Sequence, residues 1–112
     1  MDRLHQLFAR SLREIEAHAS ELAETETGRY FINEAAQLLA ALRLWAQNQY
    51  RSDQVVREIL EALDLVRLAD VAGELHETGG VDALAASRTI AKIVRSPTGQ
   101  LLAIASCALR AL

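Results

Sequence analysis

Glu14 and His18 stand four residues apart, and Glu74 and His76 two apart. Carboxylate and imidazole groups on helices are the raw material of a metal site. Helical bundles that hold two metal ions use Glu-x-x-His, a three-residue step that puts both ligands on one face, with further Glu from neighbouring helices. Neither pair has that step, and His18 to Glu21 has it in reverse order. No metal and no cofactor is expected, and His5, His18 and His76 read as solvated or terminal helix residues. Cys107 is the single cysteine and lies in an apolar run, where a thiol is usually a small inert hydrophobe. The five glycines are too scattered for a phosphate-cradling loop.

Two carboxylate pairs do have the three-residue step, Glu21-Leu-Ala-Glu24 and Glu61-Ala-Leu-Asp64. This resembles the magnesium-holding pairs of the all-α nucleotide pyrophosphohydrolases and implies a hydrolase whose four carboxylates bridge a hard cation. The resemblance is confined to those residues. A whole extra helix separates the pairs, and no Lys or Asn cluster for phosphate follows Asp64. With 15 acidic residues in the chain such pairs also arise by chance, and Glu58, Glu61 and Asp64 read equally as a solvated acidic face.

A third pattern points to DNA. Gly80-Val81-Asp82 followed by Ser87-Arg88-Thr89-Ile90 resembles the spacing of some bacterial helix-turn-helix repressors. A degenerate motif around residues 75–94 would then offer Ser87, Arg88, Lys92 and Arg95 to the major groove. His76 departs from the pattern, which places a small residue there, and the preceding helix is too long. The net charge of -3 counts mildly against a dedicated nucleic-acid binder. Charge is nevertheless segregated. From Ser52 to Asp82 there are eight acids and two bases; from Ala83 to Leu112 there are four bases and no acid. Such flanks can pair within the chain or with a second copy.

Positioning these residues is the work of helices. Apolar residues make up 51% of the chain and aromatics 4%, so the core is aliphatic and the 112 residues form one domain. Leu4, Leu7, Phe8, Leu12, Ile15, Ala19 and Leu22 recur at three and four, which predicts a helix over Arg3 to Glu24 with Asp2 as its cap. Thr25 to Gly28 reads as a loop, and Phe31, Ala35, Leu38, Leu39, Leu42, Trp45 and Ala46 predict a second helix over Arg29 to Tyr50. Two helices of about 33 Å joined by a short loop form an antiparallel hairpin. After a break at Arg51-Ser52-Asp53, residues 54–77 read as one helix, kinked near Gly73. It is apolar on most sides and so expected to be the buried, central one. Gly79-Gly80 ends it, a fourth helix runs from Val81 or Asp82 to Val94, Ser96 caps and Pro97 begins the fifth, and that helix continues to Leu112. The expected fold is an all-α five-helix bundle.

No apolar run reaches the ~20 residues of a membrane span. The N-terminus has early acids and no h-region, and with one cysteine a disulfide scaffold is excluded, so a cytoplasmic protein is expected. The apolar surplus on the third and fifth helices, with no credible active site, points to a non-enzymatic interaction or assembly module that forms a homodimer or docks another protein. Trp45, Tyr50, Leu101, Ile104 and Leu109 are its candidate partner-binding residues.

Overall fold

Asp2 begins the first helix as expected: its carboxylate accepts from the His5 N–H at 2.6 Å. The structure, a computed structural model, describes residues 2–112. Helix α1 runs Arg3–His18 and buries Leu7, Ser11 and Ile15. It stops six residues before the predicted end. The chain then reverses through a single 3-10 turn, Leu22–Glu24, which lies on the first turn of α2. Thr25 caps α2 by accepting from the Gly28 N–H at 2.9 Å, so the expected loop is already the start of the helix. Gly28 is required there. A Cβ at this position would stand 1.8 Å from the Leu22 carbonyl oxygen.

Helix α2, Glu26–Asn48, is the axis of the molecule, and every residue from Leu38 to Ala46 is buried. Its five alanines in that region and just before it (Ala35, Ala36, Ala40, Ala41, Ala46) keep its surface low, so neighbouring helices approach from several sides. Helix α1 is antiparallel to it: Arg3 at the start of α1 donates to Gln47 and Asn48 at the end of α2. The hairpin therefore exists, with arms of 16 and 23 residues instead of equal ones.

The predicted third helix is two helices, α3 (Asp53–Ala62) and α4 (Leu65–Thr78). Leu63 turns left-handed at φ 46°, and Asp64 caps α4 by accepting from the N–H groups of Val66 and Arg67. The break has a physical cause. The apolar positions in this stretch drift round a single helix, and one straight rod would leave part of them in water. Reorienting at Leu63 lets α3 bury Val56, Ile59 and Leu60 and α4 bury Leu68, Val71, Ala72 and Leu75. Gly73 is no kink; it lies exposed within regular helix. Among the described residues there are six α-helices, and the central one is the second.

Gly79 and Gly80 take positive φ, 73° and 89°, and turn the chain tightly into α5, Val81–Val94. Pro97, not Ser96, occupies the capping position of α6, Thr98–Leu109, which buries Leu101, Ile104, Ala105, Cys107 and Ala108. Helices α5 and α6 both pack on α2, and α4 is held chiefly by α5. Among the described residues no helix is long and apolar enough to cross a membrane.

Candidate interaction surface

The most heavily engaged polar group is Arg43, 1% exposed in the middle of α2. Its guanidinium donates to Ser11 at 3.0 Å and Glu14 at 3.0 and 3.3 Å on α1, and to Asp53 at 3.0 and 3.2 Å on α3. Burial by itself would lower the Arg43 pKa, but hydrogen bonds and attraction from Glu14 and Asp53 outweigh it and raise it above the ordinary value. Burial would likewise raise Glu14, yet Arg43, joined by Arg10, holds that carboxyl below its usual range. Every nitrogen of the Arg43 guanidinium is engaged within the chain. It ties three helices together. The Arg inside Leu38-Leu39-Ala40-Ala41-Leu42-Arg43-Leu44-Trp45 was its visible signal, because a charge surrounded by apolar residues must find carboxylates.

The predicted partner-binding residues separate. Trp45 is 2% exposed; its Nε1–H donates to Glu74 at 2.8 Å and Arg67 lies 5.1 Å above its ring. Leu101 and Ile104 are buried in the chain's own core and Leu109 is half-buried against it. These four serve internal packing first, because α6 lays its apolar face on α2 and α3. Tyr50 stands alone in solvent, 99% exposed, on a residue with φ 57°.

The four carboxylates of the hydrolase pattern are drawn apart. Glu21 pairs with Arg110, Asp64 caps α4, and Glu61 lies 4.0 Å from Arg57. Among the described residues no group of three or more His, Cys, Asp or Glu is placed to hold a metal ion. Burial pushes the Cys107 thiol up, away from a reactive thiolate. A groove of about 320 Å³ between α1, α2 and α5 is lined by Leu4, His5, Phe8, Gln37 and Thr89 among others, and no side chain–side chain hydrogen bond joins them.

Of the DNA set, Ser87 faces inward: its hydroxyl donates to the Ala72 carbonyl at 2.7 Å. Lys92 reaches the buried Glu34 at 3.8 Å. Arg88 and Arg95 are exposed and carry no ion pair among the described residues.

The Ser87–Ala72 bond also sets α4 against α5 as an antiparallel pair, and their outer surface has a pattern the sequence did not show. Helical spacing puts Leu65 and Ala69 beside the seam on α4, and Leu84 and Ala91 beside it on α5. Leu65 is 47% and Val66 70% exposed. Further out on α4 stands Asp70, and further out on α5 stand Arg88 and Arg95, seven residues and therefore two turns apart. The surface thus has an apolar strip between an acidic and a basic edge.

Comparison with protein-family models, with curated proteins and with solved structures gives no match to this chain.

Proposed function

We propose that this chain is a non-enzymatic helical interaction module that self-associates. The observation that carries it is the exposure of Leu65 and Val66. The bundle hides most of the apolar residues of six helices, yet two adjacent large ones at the start of α4 stay in water. Helix α4 is packed chiefly from one side, by α5, and an adjacent apolar pair on such a helix is a ready contact for another helical surface. A cytoplasmic setting goes with this function, since the one cysteine is buried and cannot pair within the chain.

Sedimentation velocity and light scattering test it. From about 1 µM to about 1 mM, a range that spans association free energies of about -8 to -4 kcal/mol, the weight-average mass should rise toward a dimer. Val66→Glu should keep the helical circular dichroism and remain at 12.3 kDa. A wild-type chain of monomer mass throughout that range overturns the proposal.

A further inference from the structure

We infer that a second copy of this chain docks on the α4–α5 outer face, about a two-fold axis parallel to the helices, so that α4 of each copy lies antiparallel on α5 of the other. This rests on the self-association proposed above and names its surface.

Charge complementarity selects the partner and the axis. A two-fold axis along the helices turns the acidic edge of one copy onto the basic edge of the other. An axis across the helices would set the acidic edge on its own equivalent, which costs binding energy. The level of each residue then follows from the Ser87–Ala72 bond. Asp70 is two residues before Ala72 and Arg88 one after Ser87, so in an antiparallel pair they stand within about one 1.5 Å rise of each other. A two-fold parallel to the helices preserves level, and Asp70 meets the partner's Arg88. Asp70, Arg88 and Arg95 have no ion-pair partner among the described residues. Leu65, Ala69 and Ala91 fill the space between the edges, with small residues allowing close approach. Glu77 is level with Asp82, a like-charge match, so the contact is confined to the half of the hairpin from Asp64 to Gly73.

A charge exchange tests this. Arg88→Glu alone and Asp70→Arg alone each place like charges at both symmetric contacts, and each should weaken self-association by about tenfold or more in sedimentation equilibrium at low salt. An equimolar mixture of the two variants restores opposite charges at both contacts and should associate within about threefold of wild type. Both positions are exposed, and unchanged circular dichroism confirms folding; Arg88→Gln serves as the milder variant, with a smaller loss expected. A wild-type dimer indifferent to both single variants overturns this interface and leaves self-association standing. Weakened variants that do not recover on mixing overturn the pairing. A wild-type monomer overturns both proposals. Tight binding of duplex DNA at low salt, abolished by Arg88→Glu in a chain that stays monomeric, assigns the basic edge to a polyanion and overturns the interface as well.

Discussion

Arg43 Nη2 stands 3.0 Å from Glu14 Oε2, although the two residues lie on different helices and Arg43 is buried. The same guanidinium turns its other edge to Asp53 at the first turn of α3. One side chain thus fixes the spacing of α1, α2 and α3 at a point where the surrounding core is smooth alanine and leucine. Such a core packs nearly as well after a small slide, and a directional group forbids the slide.

Replacing Arg43 by alanine should cost about 3 kcal/mol of unfolding free energy in a urea titration, because it removes the packed stem and leaves Ser11 buried without its partner. Glu14→Gln should cost about 1 kcal/mol, since that carboxylate keeps about a third of its surface in water and a neutral amide still accepts a bond. Equal losses for the two variants would contradict this ordering.

The Glu14 shift gives a pH dependence with a definite sign. Its folded pKa is below the ordinary 4.5 because Arg43 and Arg10 outweigh burial, so the unfolded chain takes up the proton first. The stabilisation is present above about 4.5 and is lost as pH falls through the lower folded value. Urea midpoints measured downward from neutral pH should decline below that point, and the decline should be shallower in Glu14→Gln.

Gly28→Ala should destabilise the fold by about 3 kcal/mol, since the new methyl would meet the rigid Leu22 carbonyl and the α1–α2 turn would have to open. Gly99→Ala, in the first turn of α6 where a Cβ meets nothing within 4 Å, should gain about 0.5 kcal/mol from helix propensity. Thermal unfolding of the pair distinguishes a steric glycine from a replaceable one.

Tyr50→Asn should raise stability by about 0.5–1 kcal/mol, because Tyr50 holds a left-handed backbone with almost no contact to repay it, and asparagine adopts that conformation more readily. Self-association should be unchanged if the contact lies on α4 and α5. A weaker dimer would make Tyr50 an anchor.

Ser87→Ala should cost about 1 kcal/mol, the net worth of a buried hydroxyl bond, and Ser87→Val more, because the larger side chain pushes α5 off the Ala72 carbonyl. Denaturation of both variants separates the lost bond from the crowding.

Much of the fold was legible because helix signals are local. Three-and-four spacing marked α1 and α2, and Asp2, Gly79 and Gly80 marked the start of α1, the end of α4 and the start of α5. Leu63-Asp64 was not legible as a break. A leucine seldom adopts φ 46°, and nothing nearby in sequence demands it. The demand comes from the core, which α3 and α4 can reach only from two directions. Whether Trp45, Leu101 and Ile104 meet their own chain or a partner was not legible for a similar reason: an apolar residue looks the same in sequence whether its own chain covers it or another does.

The amino-acid order by itself determined a helical, aliphatic chain, the Asp2 cap and the separated charges, since each depends on neighbours within a turn or two. Only the tertiary structure decided that α2 is the centre, that Arg43 finds Glu14 and Asp53, and that Ser87 turns inward while Arg88 stays in water. These outcomes depend on which helix faces meet, and helix spacing, which repeats every 3.6 residues, is silent on how one helix is rotated against the next.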